Sequence, residues 1–263
     1  MFTITNEKEV QPVGCVLPNT LVHGDCLEVM KYIPDGSIDL VLADPPYGWI
    51  GTTACKWDSV IPLEPMWNEL KRIIKPNGAI VLFGQEPFSS VLRLSHIKGY
   101  KYDWIWDKVK QGAFATAKYA PLKQHEIISV FSKEGGKCKY YPQMIQMEKA
   151  RTGKIYSSSD SASVKYNDGV ERTYTKKYPK TIITESNANN KGKVHPTQKP
   201  VALIEYLIKT YTNEWETVLD FTMGSGTTAI ACINTNRNFI WFELDEWYYN
   251  IANKRIQDRL SEK

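Results

Sequence analysis

The sequence predicts an α/β fold, a mainly parallel sheet covered by helices on both faces. Three observations carry this. Short, wholly apolar runs recur along the chain, as expected of strands buried on both sides. Segments with helical spacing alternate with them. Two of the runs also end in loop motifs of small or rigid residues: Asp44-Pro45-Pro46-Tyr47 early, and Asp220-Phe221-Thr222-Met223-Gly224-Ser225-Gly226-Thr227-Thr228 late.

The elements follow in order. Thr20–Asp25 reads as a short strand ending at an acid, and Ile38–Ala43 as a buried parallel strand ending in a Pro-rich turn. Glu64–Ile74 has helical spacing in Met66, Trp67, Leu70, Ile73 and Ile74, and should stop at the turn signal Lys75-Pro76-Asn77-Gly78. Ala79–Gly84 is a second buried strand, Phe88–Ile97 a helix, and Tyr102–Trp106 and Ile127–Phe131 strands. From Gly135 to Lys193 the chain turns rich in Ser, Thr, Asn, Lys and Tyr and loses periodicity, as an inserted lobe or long loops would. Regular structure resumes with a helix over Pro200–Tyr211, its proline at the start. Strand Thr217–Asp220, helix Gly226–Asn234, strand Phe239–Glu243 and a last helix near Glu246–Leu260 complete the pattern. The expected organisation is one half of a core over 1–134, an insertion over 135–193 and the other half of the core over 194–263.

Composition narrows the class. At 263 residues, 42% hydrophobic and 24% charged, the chain suits one large soluble domain or a core with an inserted lobe. No apolar run approaches the roughly 20 residues that span a bilayer, and the N-terminus lacks a signal-peptide layout, so the expected compartment is the cytoplasm, away from membranes. Cys15, Cys26, Cys55, Cys138 and Cys232 form no CxxC pair, which argues against a zinc site or a disulfide framework. His23, His96 and His125 have no partner at metal spacing, and no metal is expected. Between Lys137 and Lys193, 12 Lys/Arg face 5 Asp/Glu, a surplus of seven; with +4 overall, the rest of the chain carries −3. Basic charge gathered in one segment suits contact with a polyanion. Tyr140, Tyr141, Tyr156, Tyr166, Tyr174 and Tyr178 interleave with it, as stacking and phosphate contact require.

The late motif joins strand Val218-Leu219-Asp220 to a helix through Gly224-Ser225-Gly226. Glycines let the backbone approach a ligand, and a helix N-terminus offers free N–H groups. The next strand ends roughly 20 residues on at Glu243, where an acid can hold ribose hydroxyls. A lone GxG is often a tight turn, but strand, GxG, helix, strand and acid together describe a Rossmann-like nucleotide site. Ala229 stands where a third glycine would serve a dinucleotide pyrophosphate, so a phosphate-free cofactor such as S-adenosylmethionine fits better.

Asp44-Pro45-Pro46-Tyr47 suits chemistry on an exocyclic amine. The amine of adenine or cytosine shares its lone pair with the ring and must pyramidalise to attack a methyl sulfonium. A carboxylate on one amine hydrogen and a carbonyl on the other favour that geometry; Asp44 and the Pro45 carbonyl supply them, stiffened by the prolines. Tyr47 can stack on the base. Such a base is out of reach inside a duplex and must be flipped out, or the substrate single-stranded.

With both motifs in place, the chain resembles the β-class amino-group DNA methyltransferases, in which the target-base motif precedes the recognition region and the cofactor glycines come last. His195-Pro196-Thr197-Gln198-Lys199-Pro200 before a helix adds to the likeness. The resemblance implies a Rossmann-like S-adenosylmethionine-dependent methyltransferase fold with a seven-stranded sheet, and an insertion that recognises double-stranded DNA. It implies that Asp44, Pro45, Pro46 and Tyr47 form the catalytic pocket, with Asp44 also facing the cofactor. Asp25 would contact the cofactor adenine and Glu243 its ribose. Asp220, Gly224, Gly226, Thr227 and Thr228 would cradle its methionine side, with Lys199 nearby. Candidate partners are a second copy of the chain and a cognate restriction enzyme. The chain departs from the family's Asp-Pro-Phe-x-Gly-x-Gly: the proline is absent and Phe221 stands one place early.

Ring-carbon methylation of cytosine needs a nucleophilic cysteine, usually after proline, and no Cys here follows a Pro. By the family pattern, Asp at position 44 points to adenine N6, with cytosine N4 the alternative. A catalytically inactive DNA-binding protein, or an enzyme acting on RNA or protein, fits less well. His195 reads as structural at the start of a helix, and Trp49 as a wall of the pocket. Trp104, Trp106 and Lys108 fall on a strand end that either borders the base pocket or only packs.

Overall fold

The computed structural model describes residues 3–6, 15–48, 59–154, 171–187 and 198–262. They form two compact units, residues 1–141 with 181–263, and residues 142–180.

The larger unit is built on a nine-stranded sheet. Its strands in chain order are β1 (Thr3–Asn6), β2 (Thr20–His23), β3 (Ile38–Ala43), β4 (Ile74–Gly84), β5 (Tyr100–Gly112) and β6 (Lys123–Ser132), then, beyond the smaller unit's strands, β9 (Ile182–Thr184), β10 (Thr217–Asp220) and β11 (Asn238–Glu243). Across the sheet they lie in the order β1-β2-β11-β10-β3-β4-β6-β5-β9. Every neighbouring pair is parallel except the two made by β6, which runs antiparallel to β4 and β5. The mainly parallel sheet predicted from the sequence is present, with nine strands among the described residues where seven were expected. The edge strands β1 and β9 are too short to leave a periodic signal.

All six residues of β3 are buried, and alternate side chains serve opposite faces of the sheet. Leu40 and Leu42 point into one core layer and Val41 and Ala43 into the other. The first layer takes its helical side from α4 (Val201–Tyr211), α5 (Thr227–Asn234) and α6 (Glu246–Ser261), the second from α1 (Cys26–Met30), α2 (Leu63–Ile73) and α3 (Phe88–Ser95). The helices present apolar residues at helical spacing: Met66, Trp67, Leu70 and Ile73 on α2, and Leu203, Ile204, Leu207, Ile208 and Tyr211 on α4. Among the described residues no helix is long and apolar enough to cross a membrane.

The turn expected at Lys75–Gly78 lies inside β4. The strand pairs Ile38 with Ile74, then Leu40 with Ala79, so the intervening residues bulge out without ending the strand. A side chain at Gly78 would meet the Asp39 carbonyl at 2.9 Å, so glycine lets β3 approach there. Asp39 is the buried acid of this region. It accepts from Lys75 Nζ at 2.7 Å, Lys139 Nζ at 3.0 Å and the Thr217 amide at 3.0 Å, which tie β3 to β4 and β10. Burial alone would raise its pKa, but these donors hold the carboxyl below its usual range.

The segment from Gly135 to Lys193 divides. Residues 135–141 belong to the larger unit, where Cys138 packs on the core and the Tyr141 amide donates to the Thr210 carbonyl at 2.7 Å. The smaller unit contains an antiparallel hairpin, β7 (Ile145–Lys154) and β8 (Glu171–Lys177), absent from the elements read in the sequence. β9 returns the chain to the sheet beside β5.

Candidate functional site

The sheet order has one reversal that matters. From β10 the chain moves to β11 on one side, while β3 leads to β4 on the other. β10 and β3 are adjacent and parallel, pairing Leu219 with Val41, so Asp220 and Asp44 emerge side by side at their carboxyl ends. A crevice opens at such a switch point, where open α/β sheets bind ligands. Here it is a cavity of about 710 Å³. Of the predicted site residues, Asp25, Asp44, Pro45, Pro46, Tyr47, Lys199, Asp220, Gly224, Thr227, Thr228 and Glu243 all line it.

Gly226 does not. It has φ +78° at the start of α5, and a side chain there would meet Ala252 Cβ of α6 at 3.1 Å. The second glycine of the motif is required by backbone conformation and helix packing rather than by cavity contact. Gly224, φ +57°, faces the cavity, and its amide donates to Glu243 Oε2 at 2.7 Å. Glu243 Oε1 accepts from the Asp245 amide at 2.9 Å. An ionised carboxylate offers about four lone-pair sites, so Glu243 can brace the loop and still accept from a ligand hydroxyl. Asp25 caps α1 through the Leu27 amide at 2.8 Å and stays exposed at the rim.

Asp220 is buried. It accepts from the Thr222 amide at 3.1 Å and the Thr228 hydroxyl at 2.6 Å. Burial pushes its pKa up to about 7, and the negative charges of Asp44 and Glu243 add to the rise. Phe221, though one place early, still lines the cavity. The buried hydroxyls of Thr222 and Thr227, on the same wall, have no hydrogen-bond partner among the described residues. Buried polar atoms seldom stay unpaired, so these two mark a polar ligand surface. Cys26 also lines the cavity, but burial, with Asp25 beside it, raises its thiol to about 12, far from a thiolate nucleophile.

The opposite wall carries a row of alternating charges. Asp44 Oδ1 accepts from the Tyr47 hydroxyl and Oδ2 from the Lys199 ammonium, residues 155 positions apart from Asp44 in the second case. Lys199 Nζ lies 3.4 Å from Glu126 Oε2 and 5.1 Å from the centre of the Phe83 ring. Lys108 Nζ holds Glu126 Oε1 at 3.0 Å. Lys199, placed by the resemblance near the cofactor's methionine end, is committed to the carboxylate of the first motif. Burial would lower its pKa, but Asp44 and Glu126 raise it, so it remains an ammonium. Burial raises the pKa of Asp44, which Lys199 opposes and Glu126 reinforces. The Tyr47 ring stacks on Phe88 with centroids 5.2 Å apart.

Glu126 and Lys108 complete a site whose Glu126 was not found in the sequence. Strand β6 delivers Glu126 opposite Trp106 of β5, a long-range pairing with no local motif. The choice left open for three residues is resolved. Trp106 and Lys108 line the cavity, whereas Trp104 is buried and donates to the Tyr211 hydroxyl at 2.6 Å. His96 packs between Trp67 and Phe131. Among the described residues no group of His, Cys, Asp or Glu could hold a metal. His195, Pro196, Thr197, Trp49, Tyr156 and Tyr166 lie outside the described residues.

The cavity is lined by six carboxylates, Asp25, Asp44, Glu126, Asp220, Glu243 and Asp245, against two lysines, Lys108 and Lys199. Such a field favours a cationic ligand. S-adenosylmethionine, with its sulfonium, is a net cation at neutral pH, and the unpaired threonine hydroxyls offer its polar groups partners. The residues present fit it.

Comparison with known proteins agrees. A family profile described as DNA methylase, for N6 and N4 methyltransferases, matches residues 38–254. The Type II methyltransferase M.HpaI of Haemophilus parainfluenzae is 28% identical over 261 residues, covering 92% of this chain and 75% of the relative. The DNA adenine methyltransferase YhdJ of Escherichia coli K12 is 29% identical over 255 residues, covering 90% and 82%. Among solved structures, the M1.HpyAVI–SAM complex superposes with a TM-score of 0.61 at 25% identity, over 90% of this chain and 98% of that one. PvuII DNA methyltransferase, cytosine-N4-specific, shares the fold with a TM-score of 0.65 at 18% identity, over 94% and 93%.

Proposed function

The chain belongs to the DNA methylase family of N6 and N4 amino-methyltransferases, and we propose that within it the target is the N6 amine of adenine, flipped out of double-stranded DNA. The observation that carries methyl transfer to an exocyclic amine is the position of Asp44. It stands at the carboxyl end of β3, beside the cofactor motif at the end of β10, with both motifs facing one cavity.

Bound in this cavity, S-adenosylmethionine supplies an electrophilic methyl group on a sulfonium. Glu243, Asp25 and the Gly224 loop would hold its adenosine and methionine ends, with Thr222 and Thr227 meeting its remaining polar groups. The protein's task is to prepare the nucleophile. Asp44 accepts one amine hydrogen and the Pro45 carbonyl the other, favouring a pyramidal nitrogen whose lone pair leaves conjugation with the ring. Tyr47, stacked on Phe88, forms a rigid aromatic floor beside the base. Once methylated, the amine carries an extra proton, and Asp44 is placed to take it before water does. The raised pKa of Asp44 suits this exchange.

Support for adenine over cytosine is the aspartate at position 44 and the name of the Escherichia relative. Residues 135–193 form the DNA-reading insertion in this reading. Its support is the basic surplus and the hairpin bearing Lys149, Arg151, Arg172, Lys176 and Lys177 with exposed Tyr174. The reading extends to a cytoplasmic enzyme, a homodimer and a cognate restriction enzyme; the Type II designation of M.HpaI supports the last.

The deciding experiment incubates the protein with unmethylated DNA and S-adenosylmethionine, digests the DNA to nucleosides and identifies the product by mass spectrometry. N6-methyladenine is expected. N4-methylcytosine would keep the site and change the base. No methylated nucleoside, with cofactor bound, would refute the activity on DNA.

A further inference from the structure

We propose that Glu126 is a positioning residue: it receives Lys199 when a target amine reaches Asp44, and so frees the carboxylate oxygen the amine needs. The inference rests on Asp44 being the amine acceptor.

The problem it answers is visible in the site. Asp44 has two side-chain oxygens, and both are already taken, Oδ1 by the Tyr47 hydroxyl and Oδ2 by the Lys199 ammonium. An incoming amine must displace one of them. The Tyr47 ring is held against Phe88, within the same short turn as Asp44. Lys199 has a flexible stem and a second acceptor at hand, because its Nζ is 3.4 Å from Glu126 Oε2. That oxygen is buried and has no hydrogen bond among the described residues, while its twin Oε1 is fixed by Lys108 at 3.0 Å. A shift of about half an ångström brings the ammonium to the usual 2.7–2.9 Å of a charge-assisted hydrogen bond. The Phe83 face lies alongside Nζ, so the cation keeps an aromatic neighbour. Lys199 is paired before and after, so its own buried charge is not stranded. Lys108 anchors the receiving carboxylate so that Lys199 moves and Glu126 does not.

The test is Glu126→Gln. Glutamine keeps an oxygen for Lys108 but turns an NH₂ group, a donor, toward Lys199. Methyl transfer is measured at saturating DNA and S-adenosylmethionine, with thermal unfolding as the folding control. The expected result is a kcat lowered on the order of 10- to 100-fold, as for a displaced reacting group, with cofactor affinity within about twofold. The pH profile separates this from a structural defect. The charged or titratable groups facing Asp44 are Lys199, Glu126, Tyr47 and, across the crevice, Asp220. Removing the Glu126 charge leaves Asp44 easier to ionise, so the acid limb of kcat moves to lower pH. Wild-type kcat with an unmoved acid limb would overturn the proposal. If the glutamine variant does not fold, Glu126→Asp carries the test. It keeps the charge but draws it back from Lys199, so lowered kcat with intact cofactor binding supports the proposal and unchanged kcat overturns it. Asp44→Ala run in parallel separates the two levels. Wild-type turnover in that variant sinks the reading of Asp44 and this inference together. An inactive Asp44→Ala beside a wild-type-like Glu126→Gln sinks only the role of Glu126.

Discussion

Gly226→Ala tests whether the second glycine of the cofactor motif serves the ligand or the fold. The residue has φ +78°, where an alanine costs roughly 1–2 kcal/mol more than glycine. The added carbon would also stand 3.1 Å from Ala252 Cβ, closer than ordinary packing. Relieving that by a small helix shift costs on the order of 1–3 kcal/mol. The expected loss is therefore about 2–5 kcal/mol, and at about 2–4 °C per kcal/mol the midpoint falls by roughly 4–20 °C. Differential scanning calorimetry without ligand gives this directly. Ala252→Gly in the same chain should restore the packing part but not the backbone part. Isothermal titration with S-adenosylhomocysteine at a temperature where the variant is folded should show affinity within a few-fold of wild type. An unchanged midpoint with affinity lost tenfold or more would refute the packing assignment and return Gly226 to the ligand.

Asp39→Asn should destabilise the chain by about 3 kcal/mol in urea unfolding, since it leaves Lys75 and Lys139 without their shared buried carboxylate. Because the folded pKa of Asp39 is depressed, its contribution is present above the ordinary carboxylate range and lost as pH falls; the gap between variant and wild type should close toward pH 2. Asp220 has the opposite sign. Its pKa is raised to about 7, so its neutral form stabilises the fold below about pH 4 and that contribution is lost as pH rises through 7. Asp220→Asn should flatten the stability profile over that window, by on the order of 4 kcal/mol; parallel profiles for variant and wild type would contradict the shift. In the hairpin, Lys176→Ala with Lys177→Ala should reduce the slope of log affinity against log salt by about 2 on duplex DNA, measured by fluorescence anisotropy. An unchanged slope removes these lysines from the phosphate contacts.

Much of the site was legible because its chemistry is written in contiguous residues. Asp44 through Tyr47 follows a strand whose six residues are all buried, and Asp220 through Thr228 starts at the last of a strand's four buried residues; a buried parallel strand is among the clearest signals a sequence holds. What brings the two motifs together is sheet order, and alternation of strands and helices implies a parallel sheet without giving that order. Glu126 was missed for a related reason. It sits in an antiparallel strand among intermediate-burial residues, and only its pairing across from Trp106 turns it toward Lys199. The bond of Lys199 to Asp44 was not legible because a motif records proximity to a pocket but not which acid a flexible side chain meets. The hairpin of β7 and β8 left no trace because its exposed strands carry no buried face to impose a period of two.

The ends of the sheet have a consequence for how the protein keeps to itself in solution. Long unpaired strands at a sheet margin are templates for aggregation. Here the margins are β1, four residues, and β9, three residues, with Pro179 just ahead of the latter. Each offers a stranger only a few backbone hydrogen bonds, while the long apolar strands β3 and β4 lie in the interior of the order. Among the described residues, the margins of the nine-stranded sheet therefore offer little for another strand to zip onto, and the longer open edges belong to the separate β7–β8 pair.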